Sequence, residues 1–147
     1  KTLRAAVLRL PAGREWAYEV PQNLKMCVLK VASVPPWTPA TDEQEYKLGA
    51  HSVSLLHTPG HTQGGLCLLA RDAENGAQHL FSGDHLFAGS IGRTDMPGGN
   101  HEQLMVSMAA KILPLDDDVQ VLPGHGDTTT IGKERATNPF ILQMLKG

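Results

Sequence analysis

Three short segments of the chain set a ligand-type side chain on a turn of proline or glycine beside an apolar run. They are His57-Thr58-Pro59-Gly60-His61-Thr62, Phe81-Ser82-Gly83-Asp84 and Leu122-Pro123-Gly124-His125-Gly126. Neutral imidazole and carboxylate are ligand types for zinc or a non-haem metal, and a bound metal lowers the pKa of its water to roughly 7, which makes hydroxide available for hydrolysis. Proline and glycine restrict the backbone of the turn, so each donor is held at a strand end, the rigid presentation that a metal site needs. Taken singly, each segment is an ordinary turn. A lone histidine in a glycine-rich loop is usually solvated or hydrogen-bonded, and Gly-Asp after a strand is usually a turn or a helix cap. The combination is what points to chemistry.

The elements that position these turns follow from the patterning. Apolar and polar residues alternate through Ser52-Val53-Ser54-Leu55, and short apolar runs at 66–70, 80–81 and 119–122 read as buried or half-buried strands. Asn100 is a good helix N-cap with Gln103 three residues on. Leu104, Met105, Met108, Ala109, Ile112 and Leu113 then recur on one helical face as core positions, and Pro114 stops that helix. A last helix is predicted from Pro139 to Leu145, closed by Gly147, with Lys133-Glu134-Arg135 before it as a surface turn. Upstream, residues 2–10 and 25–34 read as strands of mixed polarity, and 35–39 together with the polar Thr41 to Lys47 as a loop. Strands interleaved with helices predict an α/β or α+β sandwich.

Composition sets the outer limits. The chain has 147 residues, 41% of them hydrophobic, which suits one globular domain. Thirteen Lys+Arg against fifteen Asp+Glu leaves a net charge of −2, which disfavours nucleic-acid binding through phosphate neutralisation. No apolar run reaches the roughly 18–20 residues of a membrane span, so a soluble, cytoplasmic protein is expected. Cys27 and Cys67 sit in apolar runs without a C-x-x-C motif and are expected to be buried hydrophobes.

The order and neighbours of the three segments, together with Phe81-Ser82-Gly83-Asp84-His85-Leu86-Phe87-Ala88-Gly89-Ser90-Ile91-Gly92-Arg93-Thr94-Asp95, closely resemble the C-terminal half of the metallo-β-lactamase superfamily, in particular its glyoxalase II-like hydrolases. The resemblance runs from about His51 to Phe140. It implies a four-layer αββα sandwich, here incomplete: one domain over 1–147, of which 1–48 is divergent and 49–147 is the recognisable half. It implies that His61 is a metal ligand, that Asp84 bridges two metals and that His125 serves the second, with two zinc ions in the complete site and iron or manganese as alternatives. No protein side chain is singled out as catalytic, because the resemblance makes metal-bound hydroxide the nucleophile. The pieces Gly92-Arg93-Thr94-Asp95 and Thr130-Ile131-Gly132-Lys133-Glu134-Arg135-Ala136-Thr137-Asn138-Pro139 look like the small glyoxalase II-type branch, which hydrolyses thioesters such as S-lactoylglutathione, rather than antibiotic-hydrolysing members.

Around these ligands, His85 is a candidate to sit behind Asp84 and orient it. Arg93 either pairs with Asp95 or shapes the substrate mouth. His57 is expected to be structural, because Pro59 and Gly60 forbid the helix that would bring it beside His61. His51, His79 and His101 read as strand-edge or helix-start residues.

The family's His-x-His-x-Asp-His turn does not occur in this sequence. In the resemblance it supplies two histidines to one metal and an aspartate plus a histidine to the other. The chain alone is therefore expected to hold no metal or one. Either these residues are part of a longer enzyme, the reading that a start at Lys1 favours, or the chain is a short variant with an impaired site. A complete domain of this type needs about 200 residues or more, so a homodimer or a complementing N-terminal segment is expected to finish the sheet. The alternatives to a thioesterase are a metal-poor binding or structural domain on the same scaffold, and an iron-dependent persulfide dioxygenase, which the Gly92–Asp95 piece also resembles.

Overall fold

The computed structural model describes residues 42–146. The strands expected over 2–10 and 25–34, the loop at 35–39, Cys27 and the closing Gly147 lie outside the described residues. The loop expected to run on to Lys47 is corrected: from Glu45 the chain is a strand, because Glu45 to Leu48 pair antiparallel with His51 to Ser54. In chain order the elements are β1 (Glu45–Leu48), β2 (His51–His57), β3 (Leu66–Arg71), β4 (Gln78–Gly83), β5 (Leu86–Phe87), β6 (Ser90–Ile91), α1 (His101–Ser107) running into a π-helical turn (Met108–Ile112), β7 (Gln120–Pro123), β8 (Thr129–Thr130), α2 (Ile131–Thr137) and α3 (Pro139–Met144). Six strands form one sheet in the order β1-β2-β3-β4-β7-β8, and β5 and β6 form a separate hairpin.

Strand alternation divides the sheet into two faces. The register sets Leu56 opposite Cys67, Leu69 opposite Leu80 and Leu80 opposite Val121. These side chains join Leu86, Leu104, Met108, Ile112, Ile131 and Ile141 in the core on the helix side. The other face carries Val53, Leu55, Leu68, Ala70, Phe81 and Leu122, all half-buried. An apolar face of that kind is what a second sheet packs against in a sandwich. The described residues thus supply one large sheet of the expected architecture, and among them the β5–β6 hairpin is the only other.

Strand direction, more than composition, decides where the turns emerge. β2 pairs antiparallel with β3, β3 antiparallel with β4, and β4 parallel with β7. The strands β2, β4 and β7 therefore run the same way, and the turns that leave them share one edge of the sheet.

The helix at 101–113 begins as its sequence predicts, with the Asn100 side chain accepting the Gln103 N–H at 2.9 Å. It does not stay α-helical. The turn over Met108–Ile112 is π-helical, with Leu113 N–H donating to the Met108 carbonyl. Leu104, Met108 and Ile112 are in the core, whereas Ala109, expected on the same face, is exposed to solvent. The segment Lys133-Glu134-Arg135 is a second correction. It lies inside α2, and Glu134 is fully buried rather than on a surface turn.

The helix also clamps the first turn. Asn100 N–H donates to the Gly60 carbonyl at 2.7 Å, and the Ser107 hydroxyl donates to the Pro59 carbonyl at 2.8 Å. Gly60 has φ +143°, and a Cβ there would stand 2.3 Å from Leu104 Cα and 2.4 Å from its Cβ. Gly60→Ala is expected to destabilise the fold by at least about 2 kcal/mol, from overpacking and left-handed strain together. Urea unfolding with an unchanged slope checks it; a shift under about 0.5 kcal/mol would show that helix and turn can separate freely.

Cys67 is buried as expected, with its sulfur 3.3 Å from the Thr58 hydroxyl and 3.6 Å from the Ser82 carbonyl. Burial pushes its thiol up to about 11, against a smaller opposing pull from the Thr58 hydroxyl. Reaction needs the thiolate and access. Cys67 should therefore resist a thiol reagent in the native protein and react on unfolding, as read by peptide mass mapping, which separates it from Cys27.

Candidate metal centre

Each of the three turns leaves the end of a strand on the shared edge. His61 follows β2, Asp84 follows β4 directly, and His125 follows β7 by one glycine. The β4 and β7 exits are locked together, since Gly83 pairs with Pro123 and Gly124 N–H donates to the Gly83 carbonyl at 2.8 Å. The carboxylate of Asp84 ends between the two imidazoles. His61 Nε2 lies 3.7 Å from Asp84 Oδ2, and His125 Nδ1 lies 3.2 Å from Asp84 Oδ1. Each oxygen faces one histidine.

Two glycines permit this approach. A Cβ on Gly124 would stand 2.7 Å from Asp84 Oδ1, and one on Gly92 would stand 1.9 Å from the Asp84 carbonyl oxygen and 3.3 Å from His61 Cβ. The sequence motifs include both positions, but only the fold shows what they make room for.

The imidazoles are oriented by neighbours outside the ligand set. His61 Nδ1 is 2.7 Å from the Arg93 carbonyl, which can only accept; Nδ1 therefore carries a proton, and Nε2 is turned toward Asp84. The Phe87 ring packs against His125 with centroids 4.5 Å apart, tilted by 44°. Nothing in the sequence pattern singles out Phe87, whose place one residue after Leu86 in an apolar strand carries no local sign of that contact.

Arg93 lines the same cavity, a depression of about 440 Å³ whose wall also includes His61, Asp84, Phe87, His125 and Asp127. Its guanidinium is paired with Asp95 through two hydrogen bonds, at 2.8 and 2.7 Å, which hold the Asp95 carboxyl down to about 2. The pairing expected for Arg93 and its place at the cavity mouth thus coexist. Asp127 stands at the cavity wall two positions after His125.

His85 is 4% exposed, directly behind Asp84 in the chain, and neither ring nitrogen has a hydrogen-bond partner among the described residues. Burial first, and then nearby His61, push its pKa down to about 4. No hydrogen bond joins it to Asp84. His57 is turned away from the cavity, its Nε2 bonded to the Gln63 carbonyl at 3.1 Å and its N–H to Asp42. His51, His79 and His101 lie at the start of β2, in β4 and at the first residue of α1.

The donor types fit a metal ion, and so does the direction of His61 Nε2, toward Asp84. The number of donors does not close a site: among the described residues no group of three or more His, Cys, Asp or Glu side chains is disposed to hold one ion. His125 is 72% exposed and Asp84 41%, so the cavity is open on the side where further donors would enter. No helix among the described residues is long and apolar enough to cross a membrane.

Comparison with known proteins agrees with this geometry. Residues 5–125 match the model of the metallo-β-lactamase superfamily. The hydroxyacylglutathione hydrolase GloC of Haemophilus influenzae is 45% identical over 95 residues, 65% of this chain and 43% of the relative. The solved structure of BLEG-1, titled a B3 metallo-β-lactamase, is similar at 44% identity and a TM-score of 0.61, covering 69% of this chain and 47% of that one. TTHA1623, solved in a di-iron-bound form, is similar at 38% identity and a TM-score of 0.59, covering 73% and 50%. The chain spans less than half the length of the curated relatives it matches. With four-fifths of its residues under the family model and an Asp84 carboxylate set between two imidazoles at the strand ends, the chain belongs to the metallo-β-lactamase superfamily.

Proposed function

We propose that this chain carries the Asp84 side of a metal-dependent thioester hydrolase acting on substrates of the S-lactoylglutathione type, with zinc as the metal and the cytoplasm as its setting. The observation that carries the reading is the division of Asp84: one carboxylate oxygen faces His61 and the other faces His125. That arrangement suits a carboxylate shared by two ions, which in two-metal sites lie roughly 3.5–4 Å apart. The similarity to GloC supports the thioester. When bound, the metal supplies a Lewis acid and a water acid enough to attack a carbonyl near neutral pH.

The chain's own residues would do the rest. His61, its tautomer set by the Arg93 carbonyl, and His125, packed on Phe87, would each hold one ion together with Asp84. Arg93 would stand at the mouth, where an anionic thiol half such as glutathione's carboxylates passes. The remaining donors would come from outside this sequence, from a complementing segment or a partner copy.

A second reading is favoured by one observation, the lack of any three-donor group among the described residues. On it the scaffold keeps the fold and binds without hydrolysing. Two measurements separate the readings. For the 147-residue chain alone, calorimetry with Zn²⁺ should find at most one weakly held ion, because a closed site takes about four ligands. Sub-micromolar binding of two ions would overturn the donor count. For the protein purified from its source, with its intact mass read first, metal content should approach two per molecule alongside S-lactoylglutathione turnover, with a β-lactam as the control substrate. A protein that stays metal-free and inactive after added zinc or iron would sink the hydrolase.

Asp84→Asn keeps the shape of the side chain and removes its charge. It should abolish metal binding and turnover together while costing under about 1 kcal/mol of stability, as at an open turn. Metal content and thermal midpoint check it; a variant that holds metal as tightly as its parent would remove the bridging role.

A further inference from the structure

Glu134 is the one fully buried carboxylate among the described residues, and the site does not include it. It sits in the middle of α2. Its Oε1 accepts the Thr129 hydroxyl at 2.6 Å, and its Oε2 accepts the Gly89 N–H and the Asn138 side-chain amide, both at 2.8 Å. Asn138 is also fully buried, and the same amide nitrogen donates to the Ser90 carbonyl at 3.1 Å. All the donors to the carboxylate are neutral. A buried carboxylate without a cation costs more to desolvate than an apolar side chain of its size, so stability alone is a poor reason for it.

What the network does grip is the β5–β6 hairpin. Phe87 pairs with Ser90, so Ala88 and Gly89 form its turn, with Gly89 at φ +69°. The two backbone groups held from α2 and the start of α3, Gly89 N–H and Ser90 C=O, are at that turn. The hairpin and the residues directly after it carry the contacts that orient both imidazoles. Phe87 in β5 packs against His125, and two residues beyond β6 the Arg93 carbonyl accepts a hydrogen bond from His61 Nδ1–H.

We propose that Glu134 is a positioning residue for the His61–Asp84–His125 site: its carboxylate, with Asn138, fixes the β5–β6 hairpin and through it sets the orientation of both histidine rings. Backbone hydrogen bonds from a buried side chain give the hairpin one position where apolar packing would allow several. The inference rests on the reading of those three residues as the site. Its readout is ring position rather than turnover, so a failed hydrolase assay and a failed coupling are told apart.

The experiment uses the 147-residue chain, with NMR of the imidazole groups. Glu134→Met keeps the length of the side chain and removes both acceptors. It should take away most of the ring-current shift that Phe87 imposes on His125, and the downfield Nδ1–H proton signal of His61 should be lost with its bond to the Arg93 carbonyl. The amides of Gly60 and Leu104, on the far clamp, should stay in place. Glu134→Gln still accepts from Gly89 and Asn138 through Oε1, and its amide can donate to the Thr129 hydroxyl, so it should restore both imidazole signatures. Thr129→Val removes one hydrogen bond but neither tie to the hairpin, and should leave the imidazoles unmoved.

Unmoved imidazoles in Glu134→Met, no rescue by Glu134→Gln, or an equal effect from Thr129→Val would each overturn the proposal. Should Glu134→Met not fold, Asn138→Ser, which cuts the Ser90 and Glu134 ties, leaves the Gly89 bond and can still cap α3 through its hydroxyl, is read the same way: moved imidazole signals support the coupling and unmoved ones end it.

Discussion

The parallel pairing of β4 with β7 is the constraint on which the site depends. Two antiparallel steps from β2 to β4 and one parallel step to β7 point three separate strands in one direction, so the turns after them share an edge. The parallel step needs a long crossover, and residues 84–119, including the hairpin and the helix, provide it. An antiparallel β7 would have delivered His125 to the opposite edge. Ligand sites outside the carboxyl ends of parallel strands follow from the same geometry in open α/β sheets.

Once the strand ends meet, close backbone approach does the remaining work. Gly92 and Gly124 leave the space in which Asp84 sits, and the Gly83–Gly124 hydrogen bond ties the two exits at a fixed separation. The edge thereby gathers one carboxylate and two imidazoles, with each carboxylate oxygen facing one ring. The side open to solvent is the side of His125, which leaves room for donors that the described residues lack.

The core serves the site in two places. On one flank α1 is pinned to Pro59 and Gly60, so the apolar seating of Leu104, Met108 and Ile112 also holds the His61 turn. On the other flank α2 and α3 hold the β5–β6 hairpin through a polar network inside the core. The π-helical turn serves the same packing: it admits one extra residue while keeping Met108 and Ile112 inward. Among the described residues the far face of the sheet remains apolar and half-buried, in keeping with an architecture of two packed sheets.

Much of this is legible in the residues themselves, where the governing interactions are local. The alternation in Ser52-Val53-Ser54-Leu55, the Asn100 cap, the Pro139 start and the glycine-flanked turns act within a few positions, and the sequence yields those elements together with His61, Asp84 and His125 as ligand types. What only the tertiary structure decided depends on partners distant in the chain. That His61 and His125 take opposite oxygens of Asp84 follows from strand direction and register, which no local pattern encodes. Glu134, one charged residue in a run of three, reads as solvated in the sequence; Thr129 and Asn138 are local to it, but Gly89, 45 residues away, becomes its neighbour only when α2 docks beside the hairpin. Ala109 reads as core on a 3.6-residue period, but in the packed helix Met108 and Ile112 fill the core and Ala109 faces solvent.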